Sequence, residues 1–300
     1  MWGWLKRGGS AQGWLAVSID EGGLAFAHAR RVRDGKAKVA GYAFDSAKRD
    51  LAAGAQCSTL LRPGEYDMLM VEAPNVPRAE MKGALRWKVK DMVDYPIVDA
   101  TVDFLDIPPQ EGAAADHSRQ IYAVLARNEL VQARAEQFAR AGVPLQVIEI
   151  PETAQRNVAA LYEPPQRGVA LAYFGADWGL LTITHRGELY LTRRLDVGVD
   201  ALASDPDGED GGPLERVALE IQRTLDHFER QFRHVAVGKL LLAPTGRATR
   251  LAEILRARFE VPVEAIDLAE VLDFGDRAPD AATQWRLFHH FGAALREGGA

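Results

Sequence analysis

The sequence predicts an α/β protein of two lobes, and two stretches with the same pattern support this prediction. Gly168–Val199 contains three runs of alternating apolar residues, separated by short turns rich in Gly and Asp. Such runs and turns predict antiparallel strands joined as hairpins. Trp14–Phe44 repeats this strand–turn–strand–turn–strand pattern, and helical sequence follows each copy. A duplication of this length favours two related lobes with a cleft between them.

Composition restricts the function classes. The chain has 300 residues, of which 47% are hydrophobic and 26% are charged, and this fits a globular protein of two compact domains. The formal net charge of -6 provides no basic footprint, so we expect no nucleic-acid partner. Cys57 is the one cysteine, which excludes a disulfide partner and a cysteine-built zinc site. We interpret it as a buried, unreactive thiol.

Two features of the sequence bear on whether the protein spans or contacts a membrane. No stretch reaches the roughly 20 clean apolar residues that a membrane span needs. Met1–Arg7 lacks the apolar core of a signal peptide, and we interpret it as a leader before the first strand. Trp2 and Trp4 lie beside two cations in this leader, and whether they touch lipid stays open.

Between the two copies, local signals predict alternating strands and helices. Pro77 opens the strongest helix, as proline prefers at a first turn. Its apolar stripe is Met81, Leu85, Val89 and Met92. A later helix has Asn128 as its expected N-cap and Gly142 as its C-cap. The predicted elements are a helix at 46–55, strands at 56–61 and 66–73, the helix at 78–95, a strand at 101–107, a loop at 108–118, a strand at 121–126, a helix at 129–141, a strand at 145–150 and a helix at 151–162.

After a proline-rich joint at 163–167, the second copy leads into a helical C-terminal part. Ala203–Gly212 carries four acids, three glycines and a proline, and this composition predicts a mobile loop. The ligand spacing of a calcium loop is absent there. The remaining predicted elements are helices at 214–232, 250–259 and 280–295 and strands at 237–242 and 262–266.

Three turns that follow strands are candidate phosphate-binding elements, because backbone N–H groups in such turns can hold phosphate while an Asp handles magnesium. The first turn keeps Asp20 and Gly22. The second has Tyr173 in place of the Asp, followed by Gly175, and the third keeps Gly246 alone. Two interpretations stay open here: ordinary hairpin turns, or a working nucleotide site of the kind found in actin-like and sugar-kinase-like ATPases.

Other enzyme signatures are missing from the sequence. It contains no Walker loop, no dinucleotide fingerprint and no nucleophile elbow. His289 and His290 are adjacent, and neighbours on a helix point about 100° apart, so they make a poor chelate. The other histidines lack the spaced partners that zinc chemistry needs.

The block Leu85–Phe104, in which an Arg-Trp helix runs into a Pro-containing turn and an acidic strand, resembles the PilM family, the actin-like proteins of type IV pilus assembly. The resemblance extends to Pro144–Leu161, Leu219–Phe232 and Phe291–Arg296. Within the family, the chain is most similar to the PilM-like members of mannose-sensitive haemagglutinin pilus systems.

This resemblance implies a two-lobed, actin-like (ribonuclease H-like duplicated) ATPase fold with an FtsA-like subdomain inserted in the first lobe. The implied divisions are a leader at 1–12, a first lobe at 13–56 and 144–165, an insertion at 57–143 and a second lobe at 166–300. It also implies a cytoplasmic protein, peripheral to the inner membrane through its partners.

For ligands, the resemblance implies ATP and the cytoplasmic segment of a PilN-like inner-membrane protein, with pilus motor components as further partners. The implied nucleotide positions are Asp20, Gly22, Gly175 and Gly246. Because Tyr173 replaces a carboxylate and glycines are missing near Gly246, we expect a pseudo-ATPase scaffold with no catalytic residue, metal or required cofactor, and ATP binding stays open. The alternative is an active actin-like ATPase or small-molecule kinase.

The predicted partner surface lies on the Arg-Trp helix, off its apolar stripe. It comprises Arg86, Trp87, Lys90, Tyr95 and Pro96. Trp, Tyr and Arg are the side chains that most often anchor interfaces. The alternative is that Trp87 packs within the fold. The resemblance favours a groove between the insertion and the first lobe, in which an extended peptide would pair with a strand edge.

Overall fold

A computed structural model of the chain describes residues 13–20, 23–32, 35–46, 55–109, 119–205, 211–245 and 249–297. The chain divides into two compact units, a smaller one of residues 61–145 and a larger one of residues 1–60 and 146–300. The insertion was predicted at 57–143. Residues 57–60 instead belong to a strand that pairs within the larger unit.

Within the described residues, groups of consecutive strands are separated by helices. The strands are β1 (Trp14–Asp20), β2 (Gly23–Arg30), β3 (Ala37–Ser46), β4 (Gln56–Leu60), β5 (Asp67–Glu72), β6 (Ala100–Asp106), β7 (Gln120–Arg127), β8 (Leu145–Glu149), β9 (Gly168–Phe174), β10 (Gly179–His185), β11 (Glu188–Leu195), β12 (Val237–Leu242), β13 (Val263–Ala265) and β14 (Leu272–Asp273). The α-helices are α1 (Met81–Val89), α2 (Asn128–Arg140), α3 (Pro151–Ala159), α4 (Val199–Ala203), α5 (Pro213–Gln231), α6 (Thr249–Arg258) and α7 (Ala281–Ala294).

The two sheets of the larger unit share one plan. The first has the order β14-β3-β2-β1-β4-β8, and the second has the order β11-β10-β9-β12-β13. In each sheet, three antiparallel strands from consecutive hairpins are followed by a parallel neighbour, β4 beside β1 and β12 beside β9. The predicted duplication is therefore confirmed.

The C-terminal segment returns to the first sheet. Strand β14 pairs with β3 in parallel, and α7 packs against β1, β2 and β4 as well as α3. Residues 272–294 were predicted within the second lobe, and that assignment is wrong. The physical reason is that α7 is apolar on more than one side, because Leu287, Phe288 and Phe291 are all fully buried.

A glycine sets the distance between α3 and α7. A Cβ atom built at Gly292 would lie 2.2 Å from the carbonyl oxygen of Ala154, closer than any van der Waals contact allows. Asn157 of α3 also donates from its Nδ2 to the Gly292 carbonyl oxygen at 3.0 Å. The two helices thus cross at backbone contact, and residues of both belong to the core cluster that includes the two sheets.

The smaller unit is a three-stranded antiparallel sheet of order β5-β7-β6 with helices α1 and α2. Met81, Leu85 and Val89 of α1 are buried in a core with Val102 and Leu125 of the sheet. Phe138 of α2 is fully buried. The apolar periodicity of the Arg-Trp helix correctly identifies these first three core positions.

Several local predictions need correction. The helix predicted to reach residue 95 ends at Val89. Asn128 is not an N-cap; its side chain donates to the Val98 carbonyl oxygen at 3.1 Å and accepts from Thr101 at 2.9 Å. Gly142 does adopt the expected positive φ, 71°.

Asp205, predicted in the mobile loop, is buried, and its Oδ2 accepts a hydrogen bond from Leu214 N at 3.1 Å. Residues 206–210 of that loop, the predicted leader 1–12, most of the predicted helix 46–55 and most of the predicted loop 108–118 lie outside the described residues. In the part of the chain that the structure describes, no helix is both long enough and apolar enough to cross a bilayer.

Candidate functional site

The first predicted phosphate turn joins β1 to β2. Asp20 pairs with Gly23 in the antiparallel register, and Gly23 adopts a φ of 139° that favours glycine. Gly22 lies outside the described residues, as does Gly246 of the third turn. These two predicted nucleotide positions therefore stay predictions.

The second turn, between β9 and β10, uses its polar backbone groups within the fold. Gly175 N donates to Trp178 O at 2.8 Å, which closes the turn. Its carbonyl oxygen accepts from Val199 N at 2.7 Å, and that of Ala176 accepts from Asp200 N at 3.2 Å. The Gly175 N–H, a predicted phosphate donor, is thus already bonded.

Trp178 covers this turn and explains why residue 175 is a glycine. A Cβ atom at Gly175 would lie 2.6 Å from Trp178 Nε1. On the other side, a Cβ atom at Gly198 would lie 2.2 Å from the Ala176 carbonyl oxygen. The glycines here serve close packing around the turn, and sequence reasoning could not separate that role from phosphate binding.

Tyr173 stands where the resemblance calls for an Asp, and its side chain is buried. Its ring stacks on Phe288 with centroids 5.3 Å apart and meets the His289 ring at 4.3 Å. Its hydroxyl donates to the Trp285 carbonyl oxygen at 3.4 Å. Burial raises the pKa of this phenol, so it stays neutral at physiological pH.

A buried polar network lies behind Tyr173. Gln155 of α3 donates from Nε2 to Leu171 O at 2.7 Å and to Thr182 Oγ1 at 2.9 Å, and its Oε1 lies 3.4 Å from His289 Nε2. Burial, and secondarily the charge of His290, lowers the pKa of His289 to about 3. His289 is therefore a neutral donor to Gln155. Sequence reasoning considered this residue only as a metal ligand.

The second turn and Tyr173 border an open cavity of about 390 Å³. Its lining consists of Phe44, Tyr173, Gly175, Ala176, Trp178, Trp285 and Arg286. Trp285 Nε1 donates to the Phe174 carbonyl oxygen at 2.6 Å, and the Arg286 guanidinium lies 4.8 Å from the centroid of the Phe44 ring. Among the described residues, the lining supplies aromatic surface and one cation but no carboxylate. No group of metal-ligating side chains occurs among the described residues.

The second candidate site is the outer face of α1. Trp87 is 75% exposed, and Lys90 Nζ lies 5.8 Å from its ring. Arg86 is half-buried, whereas Lys90 and Pro96 are exposed. The structure thus brings Trp87 and Lys90 together at the C-terminal end of α1, and Arg86 precedes them in the last turn of the helix. Trp87 does not pack within the smaller unit.

Tyr95 is not part of this surface. Its side chain is buried, its hydroxyl donates to Asp67 Oδ2 at 2.9 Å, and the Arg127 guanidinium covers its ring at 4.1 Å. Burial, with the bond to Asp67, raises the pKa of its phenol. The prediction of Tyr95 as a partner contact is therefore corrected, because the helix ends six residues earlier and the chain turns this ring inward.

Two exposed apolar residues in the segment that follows α1 were not predicted from the sequence. Met92 is 52% exposed and Val98 is 73% exposed. Met92 was placed in the buried stripe by assuming that the helix continued past Val89. The Pro at 96 could have signalled an irregular segment, in which helical spacing no longer applies.

Comparisons with known proteins agree with this architecture. No protein-family model and no curated protein sequence matches the chain. Among solved structures, a chain of the PilM-PilN type IV pilus biogenesis complex matches with a TM-score of 0.69 and 18% sequence identity, over 94% of this chain and 96% of that one. A Bacteroides thetaiotaomicron protein of unknown function with an actin-like ATPase fold matches with a TM-score of 0.50 and 10% identity, over 93% of this chain and 96% of that one.

These identities are low, so the matches bear on the fold alone. The chain contains two sheets with the same plan and one smaller unit. The smaller unit is inserted in the sequence between β4 and β8, which both belong to the first sheet. Together with the two structural matches, these features show that the chain has the actin-like ATPase fold.

Proposed function

We propose that this protein is a cytoplasmic adaptor of type IV pilus assembly, which binds the cytoplasmic segment of a PilN-like inner-membrane protein. The observation that carries the proposal is the exposure of Trp87 on α1, together with Arg86 and Lys90. The near full-length structural match to a chain of the PilM-PilN complex supports the choice of partner. Held by that partner, the protein would lie at the inner membrane.

An exposed Trp flanked by cations suits a protein interface. Large aromatic and Arg side chains dominate binding energy because they bury much area and keep a polar group for hydrogen bonding. Among the described strands, β5 and β6 each pair with β7 alone, so each leaves one edge open to an added peptide strand. An extended segment could gain main-chain hydrogen bonds at such an edge while an apolar side chain contacts Trp87.

The arrangement of the second turn supports a scaffold without ATPase activity. Phosphoryl transfer relies on positioned charge and free backbone donors. Here the ring of Tyr173 is buried, Gly175 N–H is bonded within its own turn, and Trp178 lies against Gly175. We therefore propose a pseudo-ATPase, a protein that has the ATPase fold, does not hydrolyse ATP and acts as a scaffold that binds its partner.

The assignment to one type of pilus system rests on the sequence resemblance. We propose that the protein serves a pilus of the mannose-sensitive haemagglutinin type, as an MshI-like adaptor. Pilus motor components would be its further partners. Deletion of the gene should abolish pilus assembly, and purification from native membranes should recover a PilN-like protein with it.

The direct test measures binding of the N-terminal peptide of a PilN-like protein to two variants, Trp87→Ala and Arg86→Glu. We expect each to lose at least tenfold in affinity, since central aromatic and Arg contacts are worth roughly 2 kcal/mol or more. Both positions lie on the surface of the smaller unit, so circular dichroism should show folded proteins. Leu219→Ala and Arg140→Glu are matched controls, because they change an exposed Leu and an exposed Arg on other helices. Wild-type affinity in both test variants would exclude this surface.

A second candidate function is an active actin-like ATPase or small-molecule kinase. The cavity of about 390 Å³ beside Gly175 favours it, since small-molecule sites are concave and of this size. Such an enzyme would bind and turn over MgATP, whereas the adaptor would do neither.

A further inference from the structure

The outward face of α5 carries a line of arginines. Arg216, Arg223 and Arg230 are all exposed and follow one another at intervals of seven residues. Seven residues of an α-helix fall about 20° short of two turns, so the three side chains lie nearly in line, about 10 Å apart along the axis. Leu219, one turn after the first of them, is 43% exposed. We call these four residues the arginine stripe.

The opposite face of α5 holds the helix on the protein. Val217, Ile221 and Phe228 are buried there, and α5 contacts β11 and α6. The stripe therefore points away from the sheet of the second lobe. Because the helix is anchored by its apolar face, the arginines are presented in a fixed row.

Helix α5 carries four acids, and three of them, Glu215, Glu220 and Asp226, bond to groups other than the stripe arginines, while Glu229 is exposed beside Arg230. Glu215 pairs with Arg258 at 3.4 Å, Glu220 pairs with Arg193 at 3.0 Å, and Asp226 accepts from Gln222 at 2.7 Å. Within the described part of the chain, no stripe arginine has an ion pair. In a protein with a net charge of -6, a row of three exposed guanidinium groups, none of them in an ion pair within the described residues, is an unusual local feature.

The chemistry of this face indicates the partner. A helix docking on α5 would need apolar anchors at successive turns, and the stripe offers Leu219 alone. A laterally mobile anionic surface needs only a row of cations, and an apolar side chain among them can enter the headgroup region. We infer that the arginine stripe docks the second lobe on an anionic lipid bilayer. This inference goes beyond the proposed function and does not depend on a PilN-like partner.

The test measures the partition of the full-length purified protein onto vesicles in sedimentation assays. One set of vesicles contains phosphatidylcholine alone, and the other contains one quarter phosphatidylglycerol. We expect binding to the anionic vesicles only, and its loss at high salt because surface charges are screened. In the triple variant R216Q/R223Q/R230Q the partition coefficient should fall about a hundredfold, since each basic side chain near such a surface contributes about tenfold or somewhat less.

Two further variants make the result specific. K82Q/R140Q/R167Q removes the same charge from exposed positions elsewhere and should bind like wild type. R216K/R223K/R230K keeps the charge and should also bind, because a lipid surface does not require the planar guanidinium. The inference is overturned if wild-type protein ignores anionic vesicles, if the Gln stripe variant still binds them, or if the control triple loses binding equally. Binding to an acidic protein by a stripe that ignores vesicles would likewise overturn it.

The stripe and the α1 surface can be tested separately. Trp87→Ala should retain vesicle binding, and the Gln stripe variant should retain binding to the PilN-like peptide. Loss of vesicle binding in Trp87→Ala would assign lipid contact to α1 and overturn the inference for α5.

Discussion

At the scale of single residues, burial decides the chemistry of His289 and Cys57. His289 is enclosed by Tyr173 and Gln155, and its pKa falls to about 3. Cys57 is 1% exposed, and burial raises the pKa of its thiol to about 12. The thiol is thus protonated at physiological pH, and the predicted buried position of this cysteine is confirmed.

We predict a pH-dependent stability that His289 controls. In the unfolded chain the imidazole binds a proton near its ordinary pKa of 6.5, but in the folded protein only near pH 3. As pH falls through this interval, the unfolded state holds one more proton, so folding stability drops by about 1.4 kcal/mol per pH unit from this residue. His289→Gln keeps a donor for Gln155 and cannot take up that proton.

Urea unfolding of both proteins over this interval measures the effect. As pH falls, the free energy of unfolding of wild type should decrease more steeply than that of His289→Gln. The difference between the two proteins at slightly alkaline pH gives the effect of the substitution itself, before His289 titrates. Other titrating groups cancel in the comparison. Parallel curves would show that His289 takes up its proton normally in the folded state.

At the scale of elements, the crossing of α3 and α7 connects the C-terminal segment to both sheets of the larger unit. Trp285 and Asn157 add hydrogen bonds to backbone carbonyl oxygens at 2.6 and 3.0 Å. Arg31 also donates from Nε to Leu295 O at 2.8 Å, which secures the end of the helix against the first lobe.

We predict that Gly292→Ala destabilises the protein by about 1–3 kcal/mol, because the new methyl group would collide with the backbone of α3 and force the helices apart. Gly83→Ala is the matched control. Gly83 is an exposed residue of α1 with nothing within 4 Å of its Cβ position, and we expect the substitution to stabilise the protein by about 0.5–1 kcal/mol. Thermal unfolding measures both. Equal effects of the two substitutions would contradict a close crossing.

At the scale of the whole molecule, the chain has the actin-like ATPase fold. At the second turn, however, Tyr173 is buried and the Trp178 side chain lies against Gly175. Fold does not decide activity, which depends on the groups at the site. Among the residues that the structure describes, the lining of the aromatic cavity beside this turn contains one cation, Arg286, and no carboxylate.

We predict weak or no MgATP binding and no ATP turnover above background for the wild-type chain. Losing the metal-handling carboxylate at position 173 should remove most phosphoryl-transfer catalysis, since that chemistry depends on positioned charge. Isothermal calorimetry and a phosphate-release assay measure the two quantities. Sub-micromolar MgATP affinity would favour the ATPase or kinase alternative instead.

Local pattern was sufficient for the hairpins and for the duplication. Alternation of apolar residues depends on near neighbours, and turns such as that at Gly187, with a φ of 72°, carry their own signal. Strand β12, predicted at 237–242, has these same bounds in the structure. Of the predicted α1 surface, Trp87 and Lys90 lie near each other at the C-terminal end of α1, and the role of this surface in partner binding stays a prediction.

Tertiary contacts decided the rest. Tyr95 is buried and Met92 is exposed because α1 stops at Val89, and only packing against β6 and β7 sets which side chains of the following irregular segment turn inward. The return of β14 and α7 to the first sheet is a pairing across more than two hundred residues, which no local period records. The sequence by itself therefore determined the hairpin strands and the repeat, and it left the exposure of Trp87 open. Long-range packing determined where the C-terminal helix lies and that Tyr173 and His289 are enclosed, since burial depends on residues distant in the chain.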